Sequence, residues 1–206
     1  MALKIYSNLR VYLESLSIGD ADEIAENAND ADVARGLGAL GFPHPYKREN
    51  ALAFIEHATK SFLEGTEMHF GIHLQGGSLI GVEGYNFLDF THKKGEIGYW
   101  IGKSYWKQGY GSEAVRLLIG FGFGTLKLHR IQAHTFSFNN ASQALLKSLG
   151  FSMEGTMRED TREGEGYVDS NIYSLLENEY KDNIKISTEG AVPFFDENGT
   201  FKFALS

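Results

Sequence analysis

The chain has 206 residues, a hydrophobic content of 42% and a formal net charge of −8 at pH 7. This length allows one substantial core, whereas a second domain would be small. The absence of cysteine excludes disulfides, a thiol nucleophile and cysteine-ligated metals, and the acidic balance argues against broad nucleic-acid binding. Because no apolar run approaches a membrane span, we expect a soluble cytoplasmic protein with no membrane, nucleic-acid or metal partner.

The first third of the chain predicts one strand and two helices. Residues 9–13 (LRVYL) alternate apolar and polar side chains, as in a half-buried strand. Residues 17–20 (SIGD) supply capping side chains for a helix that runs toward Ala28. Apolar residues then recur at steps of three and four over 52–62, and Gly65 follows where a helix would end.

The remainder predicts six more strands and two more helices. Residues 70–74, 79–87 and 97–101 are apolar segments divided by turn residues, and they predict three antiparallel strands. The later elements are a buried helix over 112–123, a strand over 130–136, a helix over 141–149 closed by Gly150, and strands over 151–157 and 168–176. A mixed α/β sandwich accommodates this order.

The tail over 182–206 is predicted as an extension of the domain formed by 1–181. It contains Pro193, a turn-like segment over 196–199 (DENG) and alternating apolar residues over 200–205. A β-hairpin fits this pattern. The hairpin could pack on the domain or on a second copy of the chain, and a homodimer is therefore one alternative.

The segment 107–112 (KQGYGS) joins the strand over 97–101 to the following helix. Its glycines allow main-chain N–H groups to converge on an oxyanion, and the helix dipole adds partial positive charge there. Three cationic side chains add full positive charges nearby, namely Lys103, Lys107 and Arg116. We therefore expect a pyrophosphate group as the ligand of this segment.

Two other interpretations are compatible with this segment. The glycines could form only a tight turn between strand and helix. The spacing of Gly109, Gly111 and Ala114 also satisfies a loose dinucleotide-binding fingerprint. That fold needs an acidic residue about 20 positions further on to hold a ribose, and no Asp or Glu occurs between Glu113 and Glu154.

Five motifs in order resemble the GCN5-related N-acetyltransferase (GNAT) superfamily and, within it, the ribosomal-protein N-terminal acetyltransferase (Rim-type) branch. They are 96–101 (EIGYWI), 106–114 (WKQGYGSEA), 139–142 (NNAS), 149–151 (LGF) and 154–158 (EGTMR). The resemblance covers about residues 9–181. It implies a mostly antiparallel central sheet with a splayed parallel strand pair, flanked by helices on both faces.

The resemblance also implies acetyl-CoA as cofactor and a set of binding residues. Main-chain groups of Trp100 and Ile101 would pair with the pantetheine arm, and Asn139 would hydrogen-bond it. The loop residues implied to cradle the pyrophosphate are Lys107, Gln108, Gly109, Tyr110, Gly111 and Ser112. The chain departs from the family by carrying Trp106 where Arg or Gln is usual. Asn139 could alternatively serve only as a helix cap.

The family mechanism is direct attack of a neutral amine on the thioester, without an acyl-enzyme. Ser142 is the candidate proton source for the leaving thiolate, and a main-chain N–H near Ile101 is the expected oxyanion donor. His134 is the candidate base, because histidine exchanges a proton readily near neutral pH. Glu96 is a rival carboxylate, with Glu159 or Asp160 as a third option.

The branch resemblance favours a protein or peptide N-terminal α-amine, as in ribosomal-protein acetylation. The alternatives are an amino-acid, polyamine or other small-amine acetyltransferase, and a non-catalytic acyl-CoA-binding module. Phe42, His44 and Tyr46 could line the acceptor site or could simply anchor their loop.

Overall fold

A ten-stranded sheet runs through the protein in the computed structural model, which describes residues 2–38, 41–181, 184–195 and 201–205. The strand order is β10-β9-β1-β2-β3-β4-β5-β6-β8-β7. Within the described residues, β5 and β6 form the one parallel pair, and the other neighbours are antiparallel.

The strands are β1 Leu3–Tyr6, β2 Val11–Ser15, β3 Met68–Leu74, β4 Leu79–Asp89, β5 Lys94–Ile101, β6 Arg130–Phe136, β7 Ser152–Glu163, β8 Gly166–Leu176, β9 Ser187–Phe195 and β10 Phe201–Leu205. The helices are α1 Ala21–Ala28, α2 Ala31–Leu37, α3 Arg48–Glu64, α4 Tyr110–Gly124 and α5 Asn140–Ser148. The predicted mixed α/β class with a mostly antiparallel sheet is confirmed.

Side chains alternate across the sheet and divide the buried residues into two clusters. Ile80 and Tyr85 of β4 belong to the larger cluster, which contains the buried side of α4. Leu79 and Val82 of the same strand belong to the second cluster, with residues of α1 and α3. The neighbours Leu79 and Ile80 point to opposite faces, and an irregularity in the β3–β4 pairing at this end of β4 places Ile80 on the face of Tyr85, so the two clusters cover both faces of the sheet.

Two elements are absent from the predictions. The strand β1 has four residues, and the helix α2 has seven, so both are too short to give a clear periodic pattern. The carboxylate of Asp30 caps α2 by accepting from the N–H groups of Asp32 at 2.8 Å and Val33 at 3.3 Å. This cap and the adjoining sheet stabilise a helix whose sequence alone is a weak signal.

In the tail, β9 pairs antiparallel with β10 and also with β1, so the hairpin extends the main sheet at one edge. Phe203 stacks on Phe62 of α3 at 5.2 Å between ring centroids. The turn predicted over 196–199 lies outside the described residues, and the domain boundary after Lys181 stays a prediction.

No helix among the described residues is long and apolar enough to cross a membrane.

Candidate active site

The site begins where β5 and β6 diverge. Their parallel pairing covers three positions, Lys94 with Arg130, Gly95 with Ile131 and Glu96 with Gln132. Beyond them, β5 stays paired to β4 and β6 stays paired to β8. The divergence opens a cavity of about 1040 Å³ between the two strands, the start of α4 and the start of α5.

The loop before α4 lies at one end of this cavity. Lys107 and Gly109 adopt left-handed backbone conformations, with φ of 60° and 86°. Tyr110, Gly111 and Ser112 form the first turn of α4 and line the cavity together with these two residues. Main-chain N–H groups in a first helical turn have no acceptor within the helix, so this turn can bind an anion.

Two residues singled out in the sequence have other contacts here. Gln108 is not among the described residues that line the cavity, and its side-chain amide donates to the Ser104 carbonyl at 3.0 Å. The Lys103 ammonium donates to Asp32 at 2.7 Å and lies 3.4 Å from Asp30. The positive charge expected from Lys103 beside the loop is therefore engaged by α2 and its cap.

Arg10 holds the loop in place, although its sequence position gave no such signal. Its main-chain N–H donates to Glu113 Oε2 at 2.9 Å, and its guanidinium donates to Glu113 Oε1 and to the Gln108 carbonyl. The guanidinium also lies over the Tyr110 ring, 4.7 Å from its centroid. Arg10 thus joins the loop and the first turn of α4 to the β1–β2 connection.

Trp106, at the position where the family usually has Arg or Gln, also lines the cavity. Its indole N–H donates to the carbonyl of Ile101 at 2.6 Å, and the side chain is 40% exposed. This bond closes the junction between β5 and the loop. It also engages one of the main-chain groups predicted to pair with pantetheine.

At the other wall, Asn139 both caps α5 and lines the cavity. Its Oδ1 accepts from the main-chain N–H of Ser142 at 3.1 Å, as the capping alternative requires. The Ser142 hydroxyl lies 2.8 Å from the hydroxyl of Tyr99 on β5, and both residues line the cavity. The predicted pair Asn139 and Ser142 therefore faces the strand that carries Trp100 and Ile101.

The candidate bases meet where the strands diverge. The carboxylate of Glu96 accepts from the Gln132 amide at 3.0 Å, and the same oxygen lies 3.9 Å from Nε2 of His134. The side chains of His134 and Glu96 are 34% and 25% exposed, so both reach the cavity and solvent. The structure brings together two side chains that the sequence offered as rivals.

Residues 10–152 match the family described as an acetyltransferase (GNAT) domain. The chain is 32% identical over 172 residues to the uncharacterized N-acetyltransferase p20 of Bacillus licheniformis. The alignment covers 83% of this chain and 95% of p20. The chain is 35% identical over 108 residues to the putative ribosomal N-acetyltransferase YdaF of Bacillus subtilis strain 168, covering 52% of this chain and 59% of YdaF.

The protein belongs to the GNAT acetyltransferase family. A solved structure of RimL, a ribosomal L7/L12 alpha-N-protein acetyltransferase in complex with coenzyme A, superposes with a TM-score of 0.76 at 20% identity and covers 84% of this chain and 97% of RimL. This likeness concerns the fold.

The far end of the GNAT cavity carries further acidic and aromatic side chains. Asp160 lines it, whereas the main-chain N–H of Glu159 donates to Asp169 Oδ1 at 2.8 Å. Phe136 and Phe138 also line the cavity, with their rings stacked at 5.3 Å. Of the two acids offered as the third option, Asp160 is the one that the cavity includes.

The aromatic loop suggested as an acceptor wall lies elsewhere. Phe42, His44 and Tyr46 are not among the described residues lining the cavity. Tyr46 is buried, and the Phe42 ring stacks on it at 4.8 Å and packs edge-to-face with Trp100. These contacts match the alternative in which the aromatic residues anchor their loop.

Proposed function

We propose that this GNAT acetyltransferase transfers the acetyl group of acetyl-CoA to the α-amine of a protein or peptide N terminus by direct attack. The observation that carries this proposal is the pair of His134 and Glu96 at the point where β5 and β6 diverge, in the same cavity as the loop before α4 and Ser142. A proton acceptor, an anion cradle and a hydroxyl thus share one cleft.

In the proposed binding mode, the first turn of α4 holds the pyrophosphate through main-chain N–H groups. The pantetheine arm follows β5 near Trp100 toward Ser142, with Asn139 beside it. Asn139 can cap α5 through Oδ1 and still offer its side-chain NH₂ to the arm. Acetyl-CoA supplies an activated acyl group and a thiolate leaving group.

His134 takes the proton of the attacking amine, directly or through one water, and Glu96 orients and stabilises the imidazolium that results. A main-chain N–H near Ile101 stabilises the negative charge that develops on the carbonyl oxygen. The Ser142 hydroxyl stabilises the departing sulfur. Neither Ser142 nor His134 forms a bond to the acetyl group in this scheme.

The choice of an α-amine rests on its acidity. An α-ammonium group has a pKa of about 7.7–8.0, whereas a lysine or similar alkyl ammonium has about 10.4. A histidine with one nearby carboxylate suits the first better than the second. The similarity to a putative ribosomal N-acetyltransferase over half the chain supports the same choice.

A panel of acceptors tests the proposal. The purified protein is given acetyl-CoA and one acceptor: a peptide with a free N terminus, the same peptide with its N terminus blocked and one internal lysine, a polyamine, or a free amino acid. Thiol release and product mass are measured. We expect turnover with the free N terminus alone.

Other outcomes assign the protein differently. Turnover with the polyamine or amino acid, and none with the peptides, would replace the proposal with a small-amine acetyltransferase. Tight acetyl-CoA binding with no turnover on any acceptor would favour a binding module.

The base is tested by His134→Gln, which keeps the side-chain size and removes the proton acceptor. We expect kcat to fall about 100-fold, within the usual range for general bases, and the rise of kcat with pH to flatten. His129→Gln is the matched control, since His129 precedes the same strand and lies outside the described cavity lining. Unchanged rates in His134→Gln would remove His134 from this role.

A further inference from the structure

Tyr99 is a half-buried side chain in the cavity wall that none of the proposed steps uses. It lies on the α4 face of β5, directly across the strand pair from Glu83 of β4. Directly opposed residues of an antiparallel pair share one face of the sheet. The Tyr99 ring therefore packs in the larger cluster while its hydroxyl reaches Ser142 Oγ at 2.8 Å.

The burial of the Tyr99 ring favours one direction for this hydrogen bond. Burial raises the pKa of Tyr99 to about 12, the bond to Ser142 lowers it, and the electrostatic interaction with the Glu83 carboxyl adds a smaller increase. The phenol consequently keeps its proton at neutral pH. A buried hydroxyl hydrogen needs an acceptor, and Ser142 Oγ is the one found for Tyr99 among the described residues.

When Tyr99 donates, the hydroxyl hydrogen of Ser142 is left to point elsewhere. Ser142 lies in the first turn of α5, and its own main-chain N–H is bound by Asn139. The Ser142 side chain lines the cavity. No other acceptor for this hydrogen is found among the described residues, which leaves it free to point into the cavity, where the thioester sulfur lies in the proposed binding mode.

We propose that Tyr99 is a positioning residue that donates its hydroxyl hydrogen to Ser142 Oγ and thereby aims the Ser142 hydroxyl at the sulfur of coenzyme A. This inference rests on the role of Ser142 in the proposed function. As the carbon–sulfur bond breaks, its electron pair moves to sulfur, and the thiolate accepts a hydrogen bond from Ser142 until it takes a proton from solvent. The proton of the amine goes to His134, so Tyr99 and Ser142 are unchanged after each turnover.

The test is a double-mutant cycle of Tyr99→Phe and Ser142→Ala, because residues that act through one another are not additive. We expect Tyr99→Phe to lower kcat about tenfold, as expected for losing one hydrogen bond in the rate-determining step, with KM for acetyl-CoA unchanged. Ser142→Ala should lower kcat by at least as much. Adding Tyr99→Phe to Ser142→Ala should lower kcat no further.

Tyr85→Phe is the matched structural control. Tyr85 is fully buried on the same face of β4 as Glu83, and its hydroxyl donates to the Leu118 carbonyl at 2.9 Å, outside the cavity lining. We expect this variant to lower the melting temperature and leave kcat unchanged. A fall in kcat in both tyrosine variants would mark a general packing effect and overturn the inference.

The remaining outcomes are also decisive. An unchanged kcat in Tyr99→Phe, or the same fold loss in the Ser142→Ala background, would overturn the inference. A greater loss from Tyr99→Phe than from Ser142→Ala would show that Tyr99 acts on the sulfur itself, which also overturns it. The cycle uses whichever amine the acceptor panel identifies, so rejection of peptides affects only the proposed acceptor. An unchanged kcat in Ser142→Ala removes Ser142 from the proposed function.

Discussion

The carboxyl group of Glu83 is in the core face of β4, between Phe70 of β3 and Tyr99 of β5. Glu83 is 1% exposed, and neither of its side-chain oxygens has a hydrogen-bond partner among the described residues. Burial raises the pKa of Glu83 well above its usual value, so this carboxyl keeps its proton to a higher pH in the folded protein than in the unfolded chain. The unfolded chain releases the proton near pH 4, and Glu83 therefore opposes folding increasingly as pH rises above 4.

Replacing Glu83 with Gln removes this dependence while keeping the side-chain shape. We expect the variant to match the parent in free energy of unfolding near pH 4 and to exceed it at higher pH. The difference should grow by about 1.4 kcal/mol per pH unit until the folded pKa is reached. Urea unfolding from pH 4 to 8 measures it, with exposed Glu56→Gln as control. A difference that is constant with pH would contradict this account.

The pKa of Glu154 is shifted in the opposite direction, below its usual value. Its carboxylate accepts two hydrogen bonds from Arg130 at 2.6 Å and one from the Ser174 hydroxyl at 2.6 Å. The bonds from Arg130 and then from Ser174 lower the pKa of Glu154 to about 2. Because this value lies below that of the unfolded chain, the stabilisation is complete above about pH 5 and declines as pH falls toward 2.

We therefore expect Glu154→Gln to be less stable than the parent at pH 6 and the gap to narrow steadily as the pH is lowered to 3. Thermal melting at several pH values measures this gap. Glu165→Gln, an exposed change in the β7–β8 turn, should show no gap at any pH. A gap that widens in acid would mean that the Arg130 contact is not the source of the stabilisation.

At the scale of elements, the loop before α4 depends on one backbone conformation. Gly109 has a φ of 86°, and an added Cβ would lie 3.1 Å from Nη2 of Arg10. An alanine in the left-handed region costs about 1 kcal/mol, and relaxing this strain would turn the first N–H groups of α4 away from their common point. Gly109→Ala should therefore disturb both stability and cofactor binding.

We expect Gly109→Ala to raise KM for acetyl-CoA at least about fivefold, a loss of roughly 1 kcal/mol in binding. Gly76→Ala is the control, because an added Cβ at Gly76 meets nothing within 4 Å and φ is not positive there. Steady-state kinetics compares the two variants. Equal KM values would show that the cradle tolerates a shifted loop.

The sequence predicted the long strands of the sheet but not the side-chain contacts between residues that are far apart in the chain. The bounds of β6 were predicted to the residue, since this strand is an apolar alternation between clear turns. The starts of α4 and α5 were predicted within two residues, at 112 and 141 against Tyr110 and Asn140, because glycine and asparagine are local signals. Arg10 and Glu113, however, are 103 positions apart, and Tyr99 and Ser142 are 43 apart. No periodicity connects residues at such separations.

At the scale of the whole molecule, the C-terminal hairpin and the cavity lie at different places in the sheet. Four strands, β1 to β4, separate β9 from β5. The hairpin covers the β1 edge and buries Ala191, while the rings of Phe201 and Phe203 pack on Phe90 and Phe62. It therefore contributes to the core without contributing to the described cavity lining.

We expect a chain that stops after Ile186 to lose melting temperature by several degrees, since each kcal/mol corresponds to roughly 2–4 °C in a protein of this size. Its affinity for acetyl-CoA should not change at a temperature where it is folded. A chain that stops after Phe195 removes β10 alone and should show a smaller loss. Calorimetric melting and titration measure both quantities, and weakened acetyl-CoA binding in either chain would contradict the separation.

The parallel contact between β5 and β6 is only three residue pairs long, so it cannot set the angle between the two strands by itself. That angle is imposed from outside, by β4 along one strand and β8 along the other. The cleft consequently exists before any ligand arrives. A ligand that fits this cleft therefore spends little of its binding free energy on reshaping the sheet.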